Sequence, residues 1–234
     1  MCGRYANFLA EQDLIDAFEI ASIADDARLA PRFNIGPTQT VQIVRPARVA
    51  KDEPSPAAGR ELAAARWGLV PAWAKDVGIG VKMFNARIET IAEKPAFRTA
   101  FAQRRCIVPA SGYYEWHTEE AGKKPYYIHP QDGGVLAFAG LFELWKDRTV
   151  PDAPWLVSCS IVTTASRGDM RDIHDRQPVM FTPKNWDVWL ERESTPDELF
   201  AAAADEAPAL AWHEVGKAVG NIRVDEPGLV EPVE

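Results

Sequence analysis

The sequence predicts an α+β fold, a single compact domain with an antiparallel β-barrel-like core flanked by helices. Four strand-like runs follow one another between residues 106 and 165, and strands joined by short connections pair antiparallel and can close into a barrel. Helical segments lie on either side without the regular alternation of a parallel sheet. With 234 residues, 47% of them hydrophobic, the chain can bury the core of one domain, which we expect to span residues 1–234.

Five segments are predicted before this block. Apolar residues at helical spacing predict a first helix in LAEQDLIDAFEI (9–20). VQIVRPARV (41–49) has the composition of a strand, whereas KDEPSPAAGRELAAA (51–65) is predicted to be a surface loop with little to pack. RWGLVPAWAKD (66–76) is predicted to be a strand and a turn, and KPAFRTAFAQRR (94–105) a helix, because two of its phenylalanines lie four residues apart.

The second half of the chain supplies the predicted core and three further elements. The predicted strands are CIVPASGYYEWH (106–117), KPYYIHP (124–130), VLAFAGLFELW (135–145) and WLVSCSIVTTA (155–165). DMRDIHDR (169–176) is short and polar, which indicates a turn or a short helix. Helices are predicted in TPKNWDVWLE (182–191) and TPDELFAAAAD (195–205), because Thr-Pro places a capping residue before a proline in the first turn. Glu198 completes a capping box with Thr195.

Composition excludes several classes of protein. The chain has no run of about 18 apolar residues, and its first residues lack the basic start and apolar stretch of a secretory signal. Its cysteines, Cys2, Cys106 and Cys159, form neither a zinc-binding CxxC pair nor an even disulfide set, which fits a reducing compartment. We therefore expect a cytoplasmic protein with no membrane partner, no metal and no cofactor.

The charge distribution leaves two interpretations open. The net charge of −8 argues at first against nucleic-acid binding, but residues 187–234 hold 12 acidic and only 3 basic side chains. Residues 82–106, in contrast, hold six basic side chains against two acidic ones. A basic face on an acidic protein is one interpretation, because the local potential governs binding. A solvated surface with an acidic tail is the other.

Cys2 directly follows the first methionine, in MCGRYA. If that methionine is removed, one residue carries both a free α-amine and a thiol, whose pKa values of about 8 and about 8.5 leave part of each reactive at neutral pH. A nearby cation such as Arg4 would lower both pKa values. The thiol could attack an amide carbonyl, or the amine could attack an aldehyde to form an imine that the thiol closes into a thiazolidine. A cysteine without a role is the remaining alternative.

Either chemistry needs proton transfer, for which two residues are candidates. Glu115 lies between Tyr114 and Trp116 in a predicted strand, where burial among aromatic rings would raise its pKa toward that of a general acid. The alternative is an outward-facing glutamate in a salt bridge. His174 has charged neighbours of both signs, which could tune its pKa for proton transfer, and the alternative is a hydrogen-bonded loop histidine.

Three further segments offer groups that could bind a ligand. FNARIET contains Asn85, whose amide could hold an amine or a sugar oxygen, and Arg87, which could clamp a phosphate. The alternative is a turn asparagine followed by a surface arginine. PRFNIGPTQ is either a plain turn or a loop whose Asn34 and Thr38 meet a ligand. WGLVPAW contains two tryptophans, and an exposed one would stack on a nucleobase.

Taken together, eight motifs resemble those of the SRAP family, the SOS response-associated peptidases or abasic-site processing proteins. In family order they are MCGRYA, RFNIGPT, WGLVPAWA, FNARIET, RRCIVPASGYYEW, IVTTAS, IHDRQPVM and WHEVGKAVGNI. The resemblance implies one α+β domain with the N-terminal cysteine in a positively lined cleft. It also implies a covalent thiazolidine crosslink to abasic sites in single-stranded DNA, abasic-site lyase activity, and peptidase activity that removes residues preceding the cysteine.

The resemblance also assigns roles to residues by motif. Cys2 matches the nucleophile, whose amine and thiol both bond the sugar, and Asn85 matches the residue that positions the amine and the sugar. Glu115 matches the acid/base beside the imine, and His174 matches the residue that protonates the ring oxygen. The expected protein is a monomer that is nucleoid-associated when bound to DNA. The remaining matches, all to DNA-facing positions, are the phosphate contacts Arg4, Arg87 and Arg176 and the loop residues Trp73 and Asn34.

Two alternatives from other classes of protein are open. N-terminal-nucleophile glutaminases also begin Met-Cys-Gly, but their glycine is followed by an apolar strand, whereas RYANF follows here. Glutamine hydrolysis, set against crosslinking to an abasic oligonucleotide, separates the two functions. The second rival is a DNA-binding module without enzymatic activity, in which Cys2 would be incidental.

Overall fold

The computed structural model of the chain describes residues 2–47, 59–120 and 122–233. Its strands are β1 (Tyr5–Asn7), β2 (Ile20–Ile23), β3 (Arg32–Ile35), β4 (Thr40–Pro46), β5 (Arg60–Trp67), β6 (Asn85–Arg87), β7 (Arg105–Ala110), β8 (Gly112–Glu119), β9 (Gly122–Pro130), β10 (Leu136–Trp145), β11 (Leu156–Ala165), β12 (Arg176–Pro178) and β13 (Leu210–Glu214). Its α-helices are α1 (Glu11–Phe18), α2 (Arg98–Gln103), α3 (Met170–Ile173), α4 (Trp186–Leu190) and α5 (Pro196–Ala204).

Five strands close into a barrel. β11, β10, β7, β4 and β5 are hydrogen-bonded in that order, and β5 returns to β11. Neighbours along the row are antiparallel, and the predicted α+β fold with a barrel-like core is confirmed. The closing pair differs, since Arg66 and Trp67 of β5 run parallel to Ser158 and Cys159 of β11. Parallel pairing is allowed here because a long stretch of chain separates the two strands.

Two short strands join the far half of β11. β6 lies parallel to it, with Asn85 opposite Ile161. β12 lies antiparallel to it, with Arg176 opposite Ala165. The FNARIET and IHDRQPVM motifs, distant in sequence, are therefore held by the same strand.

A second sheet covers the barrel with strand order β13–β9–β8–β1–β3. All of its pairs are antiparallel, and Tyr5 of β1 lies opposite Tyr113 of β8. Both rings meet Phe138 of barrel strand β10 edge-on, with centroids 6.2 and 5.8 Å away, and Tyr5 also meets Trp67 at 5.3 Å. Edge-to-face aromatic pairs stabilise such contacts beyond their buried area, so they fasten the start of the chain to the barrel.

The predicted helices are present but shorter than their sequence patterns. α1 buries Leu14 and Phe18 and ends before β2 begins. The Thr195 capping box of α5 is confirmed, since Thr195 Oγ1 accepts the Glu198 N–H (3.4 Å) and the Glu198 carboxylate accepts the Thr195 N–H (2.7 Å). Thr182 makes no side-chain cap and precedes a 3₁₀ turn that leads into α4. None of the described helices has the length and apolar character needed to cross a lipid bilayer.

The surface-loop prediction for residues 51–65 is wrong where it can be compared. Residues 51–58 lie outside the described residues, but residues 60–65 belong to β5 and all of them pair with β4. Leu62 and the three alanines that follow are buried. Alanine has low strand propensity, yet its small side chain suits a strand inside a narrow barrel, so tertiary packing decides the outcome.

Candidate active site

Cys2 lies just before β1 and is completely buried. The pairing of β1 with β8 continues toward the start of the chain, where the Tyr114 N–H donates to the Arg4 carbonyl at 2.9 Å. In an antiparallel pair, residues before one partner lie beside residues after the other. The backbone ladder therefore brings the residues before β1 into the neighbourhood of Glu115, whose charge acts on the Cys2 thiol.

Asn85 reaches the same residue from the barrel. Its Nδ2 donates to the Cys2 carbonyl oxygen at 2.7 Å, while β6 holds its backbone against β11. The carbonyl of the preceding residue, Phe84, accepts the Trp67 indole N–H at 2.8 Å, which fixes the approach of this strand. The other amide atom, Asn85 Oδ1, is buried and accepts no hydrogen bond from the described residues. Asn85 thus holds the Cys2 backbone and keeps an acceptor available beside it.

Glu115 and His174 form a proton-carrying pair next to Cys2. His174 Nε2 lies 3.8 Å from Glu115 Oε2, and Glu115 is only 3% exposed. The interpretation of Glu115 as an outward-facing strand residue is therefore wrong, because β8 is covered on this face by the barrel and by α3. Across the described residues, no three His, Cys, Asp or Glu side chains converge in a way that could hold a metal ion.

The ring of His174 is oriented by the backbone that follows it. Its Nδ1 accepts the Arg176 N–H at 2.9 Å in the neutral ring, which leaves the proton on Nε2, facing Glu115. The Asp175 carboxylate lies 2.9 Å from the same Nδ1 and can accept its proton when the ring is charged. Burial lowers the pKa of His174 and Asp175 opposes this effect. His174 can therefore hold a proton at either nitrogen, as a proton-transfer residue requires.

Burial sets the protonation of the two groups that face each other here. It raises the pKa of Glu115 to about 7, so both protonation states are populated at neutral pH. Burial also raises the pKa of the Cys2 thiol, and the Glu115 carboxylate raises it further. The expectation that the Arg4 cation would lower this pKa is wrong, because the Arg4 guanidinium is directed to Asn34 and Val219 instead. The thiol therefore stays protonated until a base removes its proton.

The other basic and aromatic candidates differ in how far their side chains are exposed to solvent. Trp73 is 59% exposed and Arg87 is also exposed. Arg176 is held by Glu89 through two hydrogen bonds of 2.6 and 3.0 Å, and it also donates to the Thr163 carbonyl at 2.7 Å. An anion approaching Arg176 must therefore compete with Glu89, and the same carboxylate also lies within electrostatic range of the exposed Arg87.

The basic segment 82–106 contributes a smaller charged surface than its composition suggests. Arg105 is buried and donates to the carbonyls of Phe101, Trp189 and Glu191, where α2 and α4 end. Arg104 is paired with the Glu143 carboxylate at 2.8 Å. Guanidinium groups that satisfy helix C-termini or a buried carboxylate stabilise the fold. They are not available to a ligand.

Comparison with known proteins identifies the family. The model of the SRAP family, SOS response associated peptidase, matches residues 1–222. The chain belongs to the SRAP family. The glutaminase alternative is set aside by this membership, because it relied on the Met-Cys-Gly start alone.

Relatives of this SRAP protein match most or all of its length. Abasic site processing protein YoqW of Bacillus subtilis is 36% identical over 234 residues, 99% of each chain, and YedK of Escherichia coli is 29% identical over 240 residues, 100% of each. HMCES of Gallus gallus is 27% identical over 89% of this chain and 68% of its own. A solved structure from Bacteroides thetaiotaomicron shares the SRAP fold here, with a TM-score of 0.83 at 23% identity over 100% of each chain.

The SRAP fold brings four of the nine candidate residues together at one point, and Arg176 borders them because its backbone N–H donates to His174 Nδ1. Cys2, Asn85, Glu115 and His174 meet at the start of β1. Asn34 is completely buried, and so is not on a DNA-facing surface. Sequence reasoning missed Glu89, which follows Arg87 by two residues in FNARIET and whose carboxylate holds Arg176 from another part of the chain. The contact forms because β6 and β12 both pair with β11, which no local sequence pattern indicates.

Proposed function

We propose that residues 1–234 form one SRAP domain that senses abasic sites in single-stranded DNA and joins them covalently through Cys2. The observation that carries the proposal is the arrangement around one residue. An amide holds the Cys2 carbonyl at 2.7 Å, and a carboxyl group of pKa about 7 lies beside it, 3.8 Å from an imidazole. The relatives named abasic site processing proteins support abasic DNA as the substrate.

The crosslink forms in two balanced steps once the residue before Cys2 has been removed. The α-amine of Cys2 adds to the C1′ aldehyde of the ring-opened sugar, and loss of one water gives an imine. The thiol sulfur then bonds the imine carbon while its proton passes to the nitrogen, which closes a thiazolidine. The Asn85 Oδ1 that accepts no described hydrogen bond is suited to orient the amine.

Glu115 and His174 divide the proton transfers of this sequence. His174 Nε2–H donates to the sugar ring oxygen and promotes opening to the aldehyde. Glu115, with both protonation states populated near neutral pH, protonates the departing hydroxyl as the imine forms and accepts a proton as the sulfur attacks. Because burial keeps the thiol protonated, such a base is required for the second bond.

The same groups would support peptidase and lyase activities. In self-processing, the Cys2 thiol attacks the preceding peptide carbonyl, the C–N bond breaks to free the amine, and water hydrolyses the resulting thioester. In the lyase reaction, the imine makes the C2′ hydrogen acidic. Its removal by a base such as Glu115, with departure of the 3′ phosphate, cuts the strand.

DNA is proposed to reach Cys2 past cationic and aromatic side chains. Arg87 and Arg4 would contact phosphates, Arg176 would do so in competition with Glu89, and the exposed Trp73 would stack on a base. Phosphate contacts release counterions, so non-covalent binding should weaken as salt rises. The protein is proposed to act as a monomer.

A denaturing gel tests this function. The protein is mixed with a single-stranded oligonucleotide carrying one abasic site, with the intact oligonucleotide, and with one carrying a tetrahydrofuran analogue that has no aldehyde. A denaturation-resistant complex is expected with the first alone. Complexes with all three, or with none while glutamine is hydrolysed, would contradict the proposal.

A further inference from the structure

Both polar atoms of the Asn34 side chain form hydrogen bonds within the protein. It lies in β3, and its Nδ2 donates to the carbonyls of Val219, Asn221 and Val224 at 3.3, 3.1 and 2.7 Å. Residues 219–225, called here the C-terminal strap, therefore lie across the end of β3. An amide nitrogen with several close acceptors is tightly oriented, and its oxygen must point the other way.

Asp225 fastens the far end of the strap to the same strand. One of its carboxylate oxygens accepts the backbone N–H groups of Phe33 and Asn34 at 2.6 and 2.9 Å, and the carboxylate also pairs with Arg32. A charged acceptor makes stronger hydrogen bonds than a neutral one. The strap is thus anchored on both sides of Asn34.

Arg4 is held by this assembly through one nitrogen. Its Nη1 donates to Asn34 Oδ1 at 2.8 Å and to the Val219 carbonyl at 2.7 Å. Both acceptors are neutral, and Arg4 forms no ion pair with a carboxylate among the described residues. Partial burial lowers the pKa of Arg4, as expected for a cation that has lost water without gaining an anion. Arg4 is therefore fixed in direction but not neutralised.

We propose that Asn34 and the C-terminal strap position Arg4 for a DNA phosphate, and that Asn34 does not touch DNA itself. The inference rests on the proposed function and adds positioning residues to the same site. An arginine contributes most to anion binding when its planar fork is already oriented, because less side-chain entropy is then lost on binding. Asn34 is therefore expected to affect DNA binding through Arg4, and not through a DNA contact of its own.

The test is a mutant cycle of Arg4→Ala and Asn34→Ala, with Asn7→Ala as the matched control. Asn7 is also a buried amide of the same sheet. Its Nδ2 donates to Gln42 Oε1 at 2.9 Å, and this hydrogen bond does not involve Arg4, Asn34 or the C-terminal strap. The affinity for a single-stranded oligonucleotide with the tetrahydrofuran analogue is measured at several salt concentrations. This probe has no aldehyde, so only non-covalent binding is recorded.

Arg4→Ala should weaken binding by about tenfold and flatten the slope of log K against log salt by about 0.7, the contribution of one phosphate on a single strand. Asn34→Ala should weaken binding by about fivefold and flatten the slope in the same sense. The double variant should bind like Arg4→Ala. Asn7→Ala should lower the melting temperature without changing the slope.

Two results would overturn the inference. In one, Asn34→Ala leaves the slope unchanged and behaves like Asn7→Ala. In the other, its effect adds fully to that of Arg4→Ala. If Asn34→Ala does not fold, Asp225→Ala releases the strap with Asn34 intact and should also flatten the slope. Crosslinking to an aldehyde-bearing site is measured in parallel, because its absence in the unsubstituted protein contradicts the proposed function, whereas an unaffected slope contradicts only the inference.

Discussion

Cys2→Ser is expected to abolish the denaturation-resistant complex with abasic DNA. The α-amine remains and can still form an imine. However, the serine hydroxyl is a much weaker nucleophile than a thiol and closes a less stable ring, so the imine hydrolyses when the protein is denatured. We expect the yield of stable complex to fall by a factor of at least about 100, the scale on which loss of an activated nucleophile acts.

Reductive trapping distinguishes this account from a loss of binding. Borohydride should convert the imine of the Cys2→Ser variant into a stable amine, and so restore a band that is absent without reductant. Cys159→Ala is the matched control, because Cys159 is an equally buried free cysteine in barrel strand β11, and it should crosslink normally. A stable Cys2→Ser complex without reductant would contradict the role of the thiol.

Glu115→Gln is expected to stabilise the protein at alkaline pH while it slows the reaction. Burial raises the pKa of Glu115 from its ordinary 4.5 to about 7. Between these values the unfolded chain releases the proton and the folded chain retains it. Stability is therefore greatest below the lower value and is lost as pH rises through the window, by roughly 3 kcal/mol in total. Glutamine cannot ionise, so the variant lacks this loss.

Thermal melts at about pH 5 and about pH 8 measure the effect. The free energy of unfolding of the unsubstituted protein should fall between them relative to that of Glu115→Gln, by up to roughly 3 kcal/mol. Glu143→Gln is the control, since Glu143 is also buried but pairs with Arg104. Its replacement should destabilise the protein by leaving the cation unpaired. Parallel pH profiles for Glu115→Gln and the unsubstituted protein would contradict the raised pKa of Glu115.

The crosslinking rate supplies the functional half of the same experiment. General acid–base groups contribute about a hundredfold to ten-thousandfold, so Glu115→Gln should slow crosslink formation by at least about a hundredfold near neutral pH. The remaining rate should lose the pH dependence that Glu115 imparts. A changed pH dependence of stability together with an unchanged crosslinking rate would assign Glu115 to the fold alone.

Local patterns predicted those parts of the fold that depend on local interactions. The capping box of Thr195 and Glu198 satisfies backbone groups within one turn, so the sequence indicates α5 directly. The strand over residues 60–65 could not be predicted in this way, because its alanines pair only once β4 lies beside them. The parallel closure of the barrel joins Trp67 to Cys159 across a long stretch of chain, and no local period encodes it.

The candidate site also combines residues that sequence motifs indicate with contacts that only the tertiary fold creates. The motif resemblance named Cys2, Asn85, Glu115 and His174, and the fold brings these four together. The direction of the Arg4 side chain could not be predicted, because its partners are Asn34 and a carbonyl of the strap more than 200 residues away. Because Arg4 lies two residues from Cys2 in the sequence, it is expected to lower the pKa of the thiol. In the folded chain, the Arg4 guanidinium is directed to Asn34 and Val219 instead.

Intact mass spectrometry of the protein after incubation with a single-stranded abasic oligonucleotide tests the central claim most directly. The account predicts one new species, whose mass is that of the chain without Met1 plus the oligonucleotide less one water. Fragmentation should locate the bond at residue 2. An adduct that retains Met1, or one attached to a lysine elsewhere, would contradict the claim that the amine and thiol of Cys2 together capture the sugar.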